Sequence, residues 1–175
     1  DIVVEPPPIQ KPHPPLWLAA GRAESIRKAA EDGYCLLLDQ FATFELTLER
    51  FRTYRDAVGD SGRPFDPMTV GVARGLQIVR SADERAEAVE RRMRLLERMN
   101  QHATSTDGSY VSSMASDPDL LKAAENGTLI GTPEEIVERV RQLRNGGVEY
   151  ILLAGTGNAS DVLKTFSEEV MPAFA

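Results

Sequence analysis

The sequence predicts an α/β protein built on a parallel sheet. Short apolar runs at 16–20, 34–38, 69–79 and 148–154 are each followed by residues at helical spacing. The run Tyr34-Cys35-Leu36-Leu37-Leu38 is apolar on both faces, as a strand buried in a parallel sheet must be. Glycines and capping boxes punctuate the junctions between the runs. Strands that alternate with helices join through right-handed crossovers into parallel neighbours. Two architectures satisfy the pattern, a small doubly wound sheet and half of an eight-stranded barrel. The pattern alone does not choose between them.

Residues 1–15 hold six of the eleven prolines and predict an extended entry segment, because proline lacks the N–H a helix needs. The first strand, 16–20, breaks at Gly21, and a helix over 23–32 buries Ile26, Ala29 and Ala30 before Gly33 ends it. The second strand runs into Asp39-Gln40-Phe41. Thr43 caps a helix over about 44–58, with Leu48, Phe51, Tyr54 and Val58 on its apolar stripe. After the third strand, Ser81-Ala82-Asp83-Glu84 forms a capping box. It opens a long helix whose stripe is Ala82, Ala86, Val89, Met93 and Leu96. The arginines and glutamates of 85–98 alternate, which reads as a solvated face.

The stretch 104–117 is polar and lacks periodic apolar residues, the composition of a lid loop or of a disordered segment. A short helix over 118–126 follows. Thr132-Pro133-Glu134-Glu135 is a second capping box with proline at the first helical position. Ile136, Val140 and Leu143 face inward from that helix. The fourth strand, 148–154, leads through Gly155-Thr156-Gly157 to a last helix over 160–174, with Val162, Leu163, Phe166 and Val170 on one face.

The 175 residues suit one domain, and 42% hydrophobic content is enough to build a core. A net charge of −7 argues against nucleic acid, which selects a basic surface. The single cysteine excludes an internal disulfide, and no histidine pair has metal-ligand spacing. No apolar run reaches the length of a membrane span and no leader is visible, so the expectation is a cytoplasmic protein without a membrane partner. The chain opens on Asp1 and not on methionine, as a fragment or processed product would.

In either architecture ligands gather at the carboxyl ends of the strands. The rim residues are then Gly21-Arg22, Asp39-Gln40-Phe41, Arg80-Ser81 and Gly155-Thr156-Gly157. The first of these carries the most chemistry. A strand, a glycine turn and a helix start direct free backbone N–H groups and the positive dipole end at one point, where an anion binds. Gly21 permits close approach, Arg22 adds charge and Ser25 adds a hydroxyl. By spacing alone, an ordinary strand-to-helix connection is the commoner meaning of such a loop.

PHPPLWLAAGRAESIRKAAEDGYCLLLDQF and GTPEEIVERVRQLRNGGVEYILL, together with the terminal EEVMPAF, resemble the luciferase-like flavin-dependent monooxygenases. That family includes alkanesulfonate monooxygenases and deazaflavin-dependent oxidoreductases. The resemblance spans about Pro12 to Phe174. It implies a (β/α)8 TIM barrel of the luciferase-like type, with this chain covering about the last four βα units over 16–175. It also implies that 104–117 falls on the family's mobile loop, a lid that excludes water. Gly21, Arg22 and Ser25 match the turn that holds the cofactor phosphate, although Arg22 departs from the small or polar residue usual there. Gly155-Thr156-Gly157 is the rival phosphate site.

The implied activity is oxidation of a small organic substrate by reduced FMN and O2, supplied by a flavin reductase or other electron donor. The alternative cofactor is a deazaflavin, with hydride transfer. No catalytic base is assigned, because the family's assisting polar groups lie largely in the half without a counterpart here. A half-barrel exposes sheet edges and apolar surface, so the expectation is a homo-oligomer, or a fragment that binds no cofactor alone.

Overall fold

The computed structural model describes residue 6 and residues 9–102, 119–155 and 159–175. Five strands form one sheet: β1 (Trp17–Ala19), β2 (Cys35–Leu38), β3 (Val70–Ile78), β4 (Leu129–Gly131) and β5 (Tyr150–Gly155). Every pairing is parallel. The helices are α1 (Ala23–Glu31), α2 (Phe44–Asp60), α3 (Ala82–His102), α4 (Leu120–Gly127), α5 (Pro133–Asn145) and α6 (Ala159–Thr165).

Strand β3 is bonded on both sides. Gly71 and Val72 pair with Leu37 and Leu38 of β2 and also with Tyr150 and Ile151 of β5. Farther along, Leu76 pairs with Leu129 of β4 and with Gly155 of β5. Strand β4 therefore lies on the β2 side of β3 and takes over that edge where β2 has ended. The order β1-β2-β3-β5 is the sequence order of the four anticipated strands, as in successive units of a barrel wall. β4 is a correction to the four-strand reading. Leu129-Ile130-Gly131 is too short for a periodicity to register, yet all three residues are buried.

The sheet curls. β1 and β5 lie at opposite ends of its main row, but the rings of Trp17 and Tyr150 meet edge to face with centroids 5.8 Å apart. Beneath them is Gly71, where an added Cβ would lie 3.3 Å from side-chain atoms of Trp17, Leu37 and Leu152. Strand alternation puts Gly71, Ala73, Gly75 and Gln77 on this inner face and Val70, Val72, Arg74 and Leu76 on the outer face.

The main core is on the outer face, where Val70, Val72 and Leu76 join Leu36 and Leu38 of β2 and Ile26, Phe51, Tyr54, Ile136 and Leu143 of the helices. A smaller core gathers at the carboxyl ends: Val79 and Ile130 pack with Ala88, Val89 and Leu96 of α3 and Ala123 and Ala124 of α4. The burial of β2 alternates, with Leu36 and Leu38 buried and Cys35 and Leu37 half-buried, because helices cover only the outer face. Burial pushes the Cys35 thiol above its ordinary pKa, consistent with a packing role. Leu16, Trp17 and Leu18 are exposed along the β1 edge.

Two helix stripes differ from expectation. On α3, Ala82 and Ala86 are exposed and the buried face is Ala88, Val89, Arg92 and Leu96, because the helix packs its middle and not its start. The expected last helix ends after α6. Residues Phe166–Val170 form a π-turn and Met171–Phe174 a 3-10 turn. Pro172 has no N–H for an i→i−4 bond, so the α ladder cannot continue through it. Leu163 is exposed while Val170 is fully buried. The lid stretch 104–117 and most of the proline-rich segment's start, 1–5 and 7–8, lie outside the described residues.

The second capping box is present as read. Glu135 N–H donates to Thr132 Oγ1, and Thr132 N–H donates to the Glu135 carboxylate at 2.8 Å. That backbone bond, with Arg85 assisting, holds the Glu135 carboxyl below its ordinary pKa. A lowered folded-state pKa gives stability that is complete above the unfolded value and lost as pH falls through the lowered one. Thr132→Ala should reduce unfolding free energy by about 1 kcal/mol in urea titration at neutral pH. Glu135→Gln should flatten the acid limb of the same measurement, and an unchanged acid limb would count against this linkage.

Candidate functional site

The turn after β1 has the features of an anion cradle. Gly21 is half-buried where the strand ends, and Arg22 is the N-cap of α1 with extended backbone, φ −86° and ψ 140°. Its side chain makes no capping hydrogen bond. The contrast with neighbouring helices is chemical: Thr43, Asp119 and Thr132 each satisfy a first-turn N–H with a side-chain oxygen. At α1 only the backbone is engaged, through Ile26 N–H to Arg22 O at 2.9 Å. The N–H groups of the first turn and the exposed Ser25 hydroxyl thus face solvent at the mouth. Gly21, Arg22 and Ser25 all lie at the start of α1.

The β2–α2 connection is held by a charge cluster. Asp39 Oδ1 accepts from the Phe41 and Ala42 backbone N–H groups at 2.8 and 3.0 Å, and Oδ2 accepts from Arg50 at 2.8 Å. Arg74, 0% exposed, reaches from β3 beneath this loop. It donates to Asp39 O at 3.0 Å, to Ala73 O at 2.8 Å and to Thr47 Oγ1, with the guanidinium 5.2 Å from the Phe44 ring centroid. Burial pushes its pKa down to about 10, and Asp39 acts in the opposite sense. It stays charged at neutral pH.

Arg92 of α3 completes the cluster on the inner side. It donates to Gln40 Oε1 at 3.1 Å and to Gln40 O, and its guanidinium lies 5.0 Å from the Phe41 ring centroid. Burial lowers its pKa to about 10 as well. Gln40 and Phe41 are therefore held in place at the carboxyl end of the sheet by Arg92. Arg92 corrects the reading of 85–98 as wholly solvated. Its signal was present, since it stands three residues after Val89 and four before Leu96 and so falls on the buried stripe. Arg50, Arg74 and Thr128 were also missed, because charged and polar residues on apolar elements carry no periodic mark.

The other rim residues have structural partners. Arg80 pairs with Glu169 across the surface, and Ser81 Oγ caps α3 by accepting from Glu84 N–H at 3.1 Å. Gly155 ends β5, while Thr156 and Gly157 lie outside the described residues. Among the described residues no group of three or more His, Cys, Asp or Glu could hold a metal, and no helix is long and apolar enough to cross a membrane.

A curled parallel sheet with helices packed on its outer face is the architecture of part of a βα barrel wall. Residues 1–150 match the model of the luciferase-like monooxygenases, and the chain belongs to that family. No curated protein sequence matches it. Solved structures share its fold. A monooxygenase from Streptomyces bottropensis is 24% identical with a TM-score of 0.66, over 98% of this chain and 51% of that one. The oxygenating constituent of 3,6-diketocamphane monooxygenase from Pseudomonas putida, solved with FMN, is 17% identical with a TM-score of 0.60, over 92% and 49%. An F420-dependent secondary alcohol dehydrogenase, solved with an F420-acetone adduct, is 15% identical with a TM-score of 0.64, over 92% and 49%. The chain spans about half the length of these structures. Its fold is that of a luciferase-like TIM barrel, seen here in part.

The charge cluster predicts a large stability effect. Asp39→Ala strands Arg50 and frees the loop N–H groups, and should cost about 3 kcal/mol in urea unfolding. Asp39→Asn keeps the acceptor for the loop amides and should cost less. Equal losses for the two variants would mean that charge pairing dominates over loop geometry.

Proposed function

We propose that the chain supplies the cofactor-phosphate turn of a flavin-dependent monooxygenase that oxidises a small organic substrate with reduced FMN and O2. The observation that carries this is the start of α1, whose N-cap Arg22 leaves first-turn N–H groups without a side-chain acceptor at the carboxyl end of β1. The chemistry suits a phosphate: first-turn backbone donors, the exposed Ser25 hydroxyl and the exposed Arg22 guanidinium belong to one helix start, where the dipole favours negative charge. Gly21, without a Cβ, admits the phosphate close to the backbone.

When bound, reduced flavin supplies the oxygen-activating chemistry. The residues of this chain anchor and orient. Gly21, Arg22 and Ser25 hold the anionic tail, and Gln40 and Phe41, fixed by Arg92, shape the mouth beside it. A flavin reductase or other electron donor delivers the reduced cofactor. The exposed β1 edge implies that the working protein pairs this half-barrel with further β structure, in the same molecule or in a homo-oligomer.

A second reading, deazaflavin-dependent hydride transfer, draws on the F420-bound dehydrogenase among the structures of like fold. Titration with FMN and with a deazaflavin, read by fluorescence on this chain and on the intact protein, separates the two. Tight FMN binding supports the monooxygenase, whereas preference for the deazaflavin moves the assignment to hydride transfer. In the intact protein Ser25→Ala should weaken flavin binding by about 1–2 kcal/mol, the scale of a hydrogen bond to a charged group. If Ser25→Ala is silent and Thr156→Ala weakens binding, the phosphate sits on the loop after β5.

A further inference from the structure

Beneath α3, at the carboxyl end of β3, lies a cavity of about 60 Å³. Its lining includes Gly75, Leu95, Arg92, Thr128 and Ile130. Space for it exists because Gly75 has no side chain: a Cβ there would lie 3.0 Å from Thr128 Cγ2, 3.4 Å from an Arg92 terminal nitrogen and 3.5 Å from Gln40 Oε1. The walls are mostly hydrocarbon, with buried polar atoms of Gln77, Arg92 and Thr128 among them. Among the described residues, the Nε–H of Arg92, 7% exposed, and the hydroxyl of Thr128, 2% exposed, have no partner. A buried polar group left without a partner costs about 1–3 kcal/mol. Both residues line the same space, so one occupant can serve both.

The occupant's chemistry follows from the donors. Nε–H of arginine only donates, so it requires an acceptor, and a threonine hydroxyl can donate to the same acceptor. The Arg92 guanidinium is bonded only to the neutral Gln40 oxygens, and the nearby Asp39 carboxylate is already engaged by Arg50. A buried cation among neutral acceptors favours an anion. Leu95 and Ile130 beside it favour a short hydrocarbon tail.

We propose that Arg92 and Thr128 form a subsite for the carboxylate of a small aliphatic acid, which gives the substrate of the proposed oxygenation its class. The inference rests on that functional reading for the word substrate, but the binding itself needs no flavin. β1 and β3 are separated in the sheet by β2, and the cavity and the turn after β1 both lie toward the carboxyl ends of their strands.

The test is a titration of the 175-residue chain with butyrate, butyramide and chloride, followed by 1H–15N NMR at the Arg92 Nε–H and the Gly75 amide. Butyrate should shift both signals saturably, and butyramide should bind about tenfold more weakly. Thr128→Val, nearly equal in volume, should weaken butyrate by about fivefold or more while amide dispersion stays native. Arg92→Lys keeps the charge but loses the planar donor set, and should weaken butyrate further. Chloride matching butyrate would reduce the site to general anion attraction and overturn the proposal. So would signals unmoved by butyrate, the behaviour of a cavity filled by water alone, or unchanged affinity in well-folded Thr128→Val. FMN binding that persists when butyrate fails would sink the subsite alone. Butyrate binding without FMN or deazaflavin binding would sink the cofactor reading alone.

Discussion

The hydrogen bonding of β3 on both its edges is the constraint on which the molecule depends. Its nine residues hold β2 and then β4 along one side and β5 along the other. Its outer-face residues Val70, Val72 and Leu76 join the main core with β2 and the helices. The requirement for two-sided pairing also fixes its composition. On the inner face it alternates glycine and small residues, because the curl brings side chains from β1, β2 and β5 together over Gly71. On the outer face it carries valine and leucine, interrupted once by Arg74.

That interruption links fold to site. Arg74 spends burial energy to hold the Asp39 carbonyl, and Asp39 in turn shapes the loop that carries Gln40 and Phe41 to the mouth. Arg50 and Arg92 grip the same loop from α2 and α3. Three guanidinium groups around one carboxylate leave an excess of positive charge in a region that burial makes costly. Such an arrangement costs stability and is held by the hydrogen bonds to Asp39, Thr47 and Gln40.

Much of this was legible in the sequence. The strands 16–20, 34–38, 69–79 and 148–154 announced themselves by apolar runs between turn residues, and Thr43 and Thr132 by their caps. The family and the barrel fold followed from two segments in the right order. The parts that were not legible share a physical reason. Strand β4 is three residues long and exists because β2 ends early and leaves β3 an open edge, which is a fact of tertiary pairing. Arg74 and Arg92 are buried by what surrounds them, and a residue scale reads both as surface. Leu163 is exposed because α6 turns Val162 to the core instead. The helix start at Ala23, after Gly21 and Arg22, was visible because helix starts are local. The cavity at Gly75 was not, since it needs four elements in place.

The contact between Trp17 and Tyr150 has a practical consequence. Trp17 is the sole tryptophan of the chain, and it stands over the inner face with its ring partly exposed. Its indole emission therefore reports on the hollow of the sheet and on nothing else in the protein. A tyrosine at contact distance transfers excitation to it, and any chromophore entering the hollow would quench it. The protein thus carries an intrinsic optical probe at the surface where the missing wall of the barrel, or a second molecule, would have to close.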